Sequence, residues 1–124
     1  MIPKYKRVLL KLSGEALGGE EGSGFDYETI ISLAENVIAL HNLDVEVGIV
    51  IGGGNIFRGS KPTAGKIGRV AGDHMGMLAT VINSICLQEM LEQRGVLTRV
   101  LSAIELNAIA EPYIKRRADR HLEK

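Results

Sequence analysis

Val45-Glu-Val-Gly-Ile-Val-Ile-Gly-Gly-Gly-Asn-Ile-Phe-Arg58 is an apolar run that stops at three consecutive glycines. Its length and its β-branched residues make Val45–Ile51 a strand, and Gly52-Gly53-Gly54-Asn55 ends it. In an open α/β sheet, ligands gather outside the carboxyl ends of the strands. Glycines there let backbone N–H groups converge on an anion with no Cβ in the way. The same triplet also serves as a plain tight turn, so its neighbours must decide between the two readings.

Upstream lies a second run of this kind, Val8-Leu-Leu-Lys-Leu12, with Ser13-Gly14 directly after it. It reads as a strand buried on both faces. Glycines and acids alternate from Gly18 to Gly24, and Asp26 follows as an N-cap with Glu28 in the first turn. Tyr27, Ile30, Ile31, Ala34, Val37, Ile38 and Leu40 then recur at helical spacing to about His41, where Asn42-Leu43-Asp44 breaks the helix. Downstream, a loop rich in Gly, Lys and Pro runs from Gly59 to Gly72. Asp73 can cap a long helix through Leu91, with Gly95 as its C′ residue. Val96–Leu101 reads as a third strand and Ser102–Glu111 as a loop or short helix stopped by Pro112. Tyr113–Lys124 reads as a last helical segment. Short strands alternating with longer helices predict an α/β layered fold with right-handed crossovers, in a single domain over residues 1–124.

Composition narrows the function. The 124 residues carry fifteen Lys plus Arg and fifteen Asp plus Glu, so the formal net charge is zero. That gives no global attraction to nucleic acid or to an anionic membrane, and the scarce aromatics offer no stacking platform for single strands. The basic surplus of Lys115–Lys124 reads as a solvated helix face. No stretch approaches the roughly 18 consecutive apolar residues of a membrane-spanning helix, and Lys11 interrupts what could follow Met1–Arg7 as a signal sequence. A lone Cys86 fits a reducing compartment and a place on the buried side of a helix. A cytoplasmic location is expected. The fifteen glycines are concentrated between Gly14 and Gly76, which points to a loop-built site.

Three side chains stand beside the glycine turns. Lys11, inside an apolar strand, is costly unless its ammonium reaches a partner or water at the strand's end. A phosphate contact suits it, and so does an edge strand with the lysine reaching into solvent. Arg58 offers a planar fork of donors to a phosphate, although a surface arginine in a loop is common. Asp73 serves either as an N-cap or as an acceptor for ribose hydroxyls. No Gly-x-Gly-x-x-Gly opens a helix after the first strand. Gly59…Gly65-Lys66 misses the Walker A spacing, with Ile67 where Ser or Thr should ligate Mg²⁺. His41, His74, His121 and one cysteine are too dispersed for structural zinc, and no metal ligands are expected. The residues therefore describe an α/β phosphate-binding protein, of the kind that transfers phosphoryl groups.

Three segments, Lys11-Leu-Ser-Gly-Glu-Ala-Leu17, Gly48-Ile-Val-Ile-Gly-Gly-Gly-Asn-Ile-Phe-Arg-Gly59 and Gly72-Asp-His-Met-Gly-Met-Leu-Ala-Thr80, together resemble the bacterial uridylate (UMP) kinases of the amino-acid kinase superfamily. The resemblance runs from about Tyr5 to Leu106. It implies a three-layer αβα sandwich with a mainly parallel sheet, present here as its amino-terminal, acceptor-side half. It also implies transfer of the γ-phosphoryl of Mg-ATP to UMP, giving UDP and ADP in pyrimidine nucleotide biosynthesis. Carried over by motif, Lys11, Leu12, Ser13, Gly14, Gly54 and Arg58 would line the ATP phosphates and the transferring group. Lys11 and Arg58 would act on that group, while Gly53 and Asp73 would hold UMP. Gly19, Glu20, Glu21, Gly22, Ser23 and Gly24 lie where such enzymes have a segment linked to activation by GTP. A homo-hexamer inhibited by UTP is the family's usual form. The part that cradles the adenine lies outside these motifs, so the 124 residues alone are not expected to turn over at an enzyme's rate. Two other classes remain open: a non-catalytic nucleotide- or anion-binding module, and an amino-acid-kinase-type enzyme acting on a carboxylate or carbamate.

Overall fold

The structure, a computed structural model, describes residues 3–57, 66–106 and 108–124. Arg58 and the first part of the loop after it fall outside the described residues. Strand β1 (Arg7–Leu12) pairs in parallel with β2 (Glu46–Ile51), from Arg7 beside Glu46 to Leu12 beside Ile51. Helix α1 (Tyr27–His41) forms the crossover between them. It ends where Asn42 donates to the Ile38 carbonyl and Asp44 takes a positive φ of 62°. Helix α2 (Arg69–Glu92) follows, then β3 (Leu101–Ser102), β4 (Glu111–Pro112) and α3 (Lys115–Glu123).

The parallel register sorts the strand residues into two faces. Leu10, Leu12, Val47, Ile49 and Ile51 pack under α1 and α2, against Ala34, Val37, Leu87 and Leu91 at one end and Leu17 and Ile30 at the other. Leu17 and Ile30 are fully buried, and each contributes roughly 1.5–3 kcal/mol of hydrophobic stabilisation. Cys86 packs beside the second cluster, where burial pushes its thiol pKa up. On the opposite face, Arg7 Nε donates to Glu46 Oε2 at 2.6 Å and Arg7 Nη1 reaches Asp119 Oδ1 of α3 at 3.2 Å. Helices therefore flank the sheet on both sides, and the architecture is a partial αβα arrangement of parallel strands and helices.

Several expectations need correction. β1 is not buried on both faces: Leu9 is 71% exposed and Lys11 lies at the surface, because among the described residues only α3 covers that face, near Arg7. Asp73 does not cap α2. The helix begins a turn earlier, at Arg69 after Gly68, since Arg69, Val70 and Ala71 accept helical geometry and Gly72 N–H already bonds the Gly68 carbonyl at 2.9 Å. Val96–Leu101 is not a full strand. Val96, Thr98 and Val100 do alternate inward, but α2 takes the Thr98 backbone, with Gln88 Nε2 donating to its carbonyl at 3.0 Å. Only Leu101–Ser102 form a ladder, in parallel with Glu111–Pro112, where a loop or short helix was expected. After the turn expected at Ser13-Gly14, Gly14–Glu21 winds into a 3-10 helix. Ser13 is its N-cap, accepting from the Glu15 N–H at 3.2 Å, and it is kinked at Gly19 (φ 65°, ψ −143°).

α2 is long and apolar enough, by length and composition, to cross a membrane. A mostly buried core helix meets the same criterion; α2 buries Ala79, Val81, Asn83, Leu87 and Leu91, while 22% of its apolar window is buried. At its end, Gly95 (φ 84°) donates to Glu92 and Val96 to Leu91, the paired bonds of a Schellman cap with Gly95 at C′.

Candidate active site

The strand ends bring two glycine turns into contact. Gly52 N–H extends the ladder by donating to the Leu12 carbonyl at 3.0 Å, which sets Ser13-Gly14 beside Gly52–Gly54. Gly14 is buried there, and a Cβ built on it would lie 2.5 Å from Gly52 O and 2.6 Å from Gly54 N. No other residue fits such a backbone-to-backbone approach. Gly53 faces α2 just as closely, since its Cβ would meet Ala79 Cβ at 2.7 Å and Gly76 O at 3.1 Å. The sequence patterns Gly-Gly-Gly and Met-Gly-Met-Leu-Ala are two sides of one contact.

The turn itself is closed by the Ile56 and Phe57 N–H groups, both bonded to the Gly53 carbonyl at 3.0 Å. The N–H groups of Gly53, Gly54 and Asn55 find no acceptor among the described residues. Gly53 and Gly54 are half-buried and Asn55 is buried, so the turn offers the N–H groups of Gly53 and Gly54, consecutive donors on a tight turn, to an anion. Lys11 lies in the strand that leads into this region and forms no ion pair among the described residues, which leaves its ammonium available to a phosphate. Asp73 is exposed on α2, one helical turn before Gly76, the residue that meets Gly53. Lys11, Leu12, Ser13, Gly14, Gly53 and Gly54 are thus gathered at one end of the sheet, with Asp73 on the adjoining helix. Arg58 lies outside the described residues.

The segment 19–24 is tied to the same turn. Gly24 N–H donates to the Asn55 carbonyl at 2.8 Å, and Asn55 Nδ2 returns a bond to the Gly24 carbonyl at 2.9 Å. Asn55 also pairs with Asn83, a fully buried amide on α2. Sequence reasoning passed over Asn83. The available signal was an amide inside the apolar stretch Leu78–Leu91, where a polar side chain needs a partner.

A separate depression of about 430 Å³ lies on the exposed side of α1, lined by Asp26, Glu28, Thr29, Ser32, Leu33 and Asn36. Its carboxylates repel phosphate and no cation lines it, so it is not the anion site. Two carboxyls whose pKa is lowered also lie elsewhere. The hydrogen bond from Lys115 holds Asp119 below the usual carboxylate range, and the bond to His121 does the same for Glu111.

Parallel strands under flanking helices, with glycine turns interlocked at the strand ends, define an α/β fold, and the comparisons give its family. Residues 6–124 match the Amino acid kinase family, and the chain belongs to it. Among solved structures it is similar to the UMP kinase of Bacillus anthracis, at 44% identity and a TM-score of 0.89 over 98% of this chain and 50% of that one. It is also similar to the UMP kinase of Ureaplasma parvum, at 34% identity and a TM-score of 0.86 over 97% of this chain and 53% of that one. The chain therefore spans about half the length of the solved structures it matches.

Proposed function

We propose that the protein carrying this chain is a UMP kinase, moving the γ-phosphoryl of ATP to UMP, and that this chain supplies the acceptor side of the site. The observation that carries the reading is the pair of N–H groups of Gly53 and Gly54, without an acceptor among the described residues, seated against Gly14 and beside an available Lys11. Phosphoryl transfer asks for positioning and charge neutralisation more than for a covalent catalyst, and this donor set supplies both.

In this reading the UMP oxygen attacks the γ-phosphorus as the bond to the bridging oxygen of ADP breaks, and the displaced charge goes to ADP. Lys11, Ser13, Gly14 and Gly54 line the donor phosphates, with Arg58 on the transferring group. Gly53 and Asp73 hold UMP, with Asp73 on its ribose. No cluster of carboxylates or histidines able to hold a metal occurs among the described residues, so Mg²⁺ would be held mainly by the nucleotide phosphates. The cation would neutralise charge on those phosphates.

The test is an acceptor panel. The whole enzyme, given Mg-ATP, should release ADP far faster with UMP than with CMP, AMP, carbamate or N-acetylglutamate. A preference for a carboxylate or carbamate acceptor would overturn the reading within the same family, and binding without turnover would leave a nucleotide-binding module.

A further inference from the structure

Asn55 and Asn83 form a closed pair of side-chain amides in the core. Asn83 Nδ2 donates to Asn55 Oδ1 at 2.7 Å and to the Gly52 carbonyl at 2.7 Å. Asn55 Nδ2 donates to Asn83 Oδ1 at 3.1 Å and to the Gly24 carbonyl at 2.9 Å. Each amide has two N–H bonds to give, and all four are used. Asn83 is 0% exposed and Asn55 4%. Two apolar residues would be easier to bury here, so the notable property of the pair is direction rather than hydrophobic stabilisation.

That direction falls on the phosphate-binding turn. In a trans peptide the carbonyl of one residue and the N–H of the next point to opposite sides. By drawing the Gly52 carbonyl towards α2, Asn83 turns the Gly53 N–H away from the helix. Glycines hold no preferred φ and ψ of their own, so an outside contact must select the conformation of Gly52–Gly54. The reciprocal bonds then fix Asn55, which directly follows Gly54 and so anchors the far end of the turn. Its bonds to Gly24 carry the constraint to the segment 19–24.

We infer that Asn83, acting through Asn55 and the Gly52 carbonyl, is a positioning residue that presets the N–H groups of Gly53 and Gly54 for phosphate. The inference deepens the proposed function and rests on its assignment of that turn to phosphate. Asn83 does not touch the ligand.

Backbone amide NMR of the protein tests this, by titration with Mg-ATP and separately with tripolyphosphate at a temperature where each variant remains folded. In the wild type the Gly53 and Gly54 amide signals should shift saturably. In Asn83→Asp, which keeps the shape and loses the donor, and in Asn83→Ala, the affinity read from those signals should weaken by about tenfold or more, as expected when a buried acceptor loses its partner. If either variant fails to fold, Asn55→Ser reads the same coupling with one donor kept. A purely structural pair would lower the melting temperature and leave the affinity of the folded variants unchanged, which would overturn the inference. Wild-type Gly53 and Gly54 signals that ignore both ligands would also overturn it. Saturable shifts in a protein that does not phosphorylate UMP would sink the proposed function and leave the positioning role standing.

Discussion

Gly14 and Gly52 meet backbone to backbone where β1 and β2 end, at a separation that leaves no room for a methyl group: a Cβ on Gly14 would lie 2.5 Å from the Gly52 oxygen. Relief must come from main chain, because neither partner has a side chain to move. Gly14→Ala should therefore cost about 1–3 kcal/mol of stability, as overpacking does, and should displace the turn at Gly53. Thermal unfolding with nucleotide-binding measurements checks it. A variant as stable as the wild type with unchanged binding would remove Gly14 from the site.

Asp73 lies exposed inside α2, so its carboxylate serves no cap. Asp73→Asn should leave the melting temperature nearly unchanged. If the carboxylate holds the ribose of UMP, KM for UMP should rise by the equivalent of one charge-assisted hydrogen bond, roughly 1.5–3 kcal/mol. Arg58→Ala should instead lower kcat, with lysine a poor substitute because the bidentate fork is lost. Kinetics of both variants in the whole enzyme separate the two roles.

How much of this was legible in the sequence depended on the kind of signal. α1 and the two paired strands carry their own periodicity, and the break at Asn42-Leu43-Asp44 has the turn chemistry it needs. The contact between Gly14 and Gly54 was legible only as two separate glycine turns, since nothing local shows that they touch. The start of α2 was misread because aspartate is a favoured cap, whereas the residue in that place is Gly68, which has no side chain to mark it. The alternation of Val96, Thr98 and Val100 is a true strand pattern, but a pattern cannot show that Gln88 takes the Thr98 carbonyl. Asn83 was hidden for the same reason, because its partners come from Gly52 and Asn55.

α2 also exposes Met75, Leu78 and Ile82, which follow one another at helical spacing on a single side. We expect this side to be a contact between subunits. Leu78→Glu with Ile82→Lys should shift the assembly to a smaller species in sedimentation while leaving the far-UV spectrum intact. A wild-type protein that sediments as a monomer at micromolar concentration would contradict the contact.

The docking of α3 should depend on pH and salt. The hydrogen bond from Lys115 and the nearby Arg7 hold the Asp119 carboxyl below its ordinary range. A carboxyl with a depressed native pKa contributes stability that is complete above the ordinary aspartate range, about pH 4, and is lost as pH falls through the native value. The amides of α3 should therefore exchange faster in acid and in high salt. Because the Glu111 carboxyl bonded to His121 of α3 is lowered in the same way, Asp119→Asn should reduce that dependence, and Asp119→Asn with Glu111→Gln should remove most of it. Exchange rates of α3 that ignore both pH and salt would show that the ion pairs do not hold it.

The interlocked glycine turns at the ends of β1 and β2 should receive the phosphates that are exchanged. The most direct measurement is a crystal structure of the whole enzyme with UMP and a non-hydrolysable ATP analogue. The phosphates of both nucleotides should converge on the Gly53 and Gly54 N–H groups, with Lys11 Nζ on the donor side and Asp73 on the UMP ribose. Nucleotide phosphates bound elsewhere, with Lys11, Gly53 and Gly54 untouched, would contradict it.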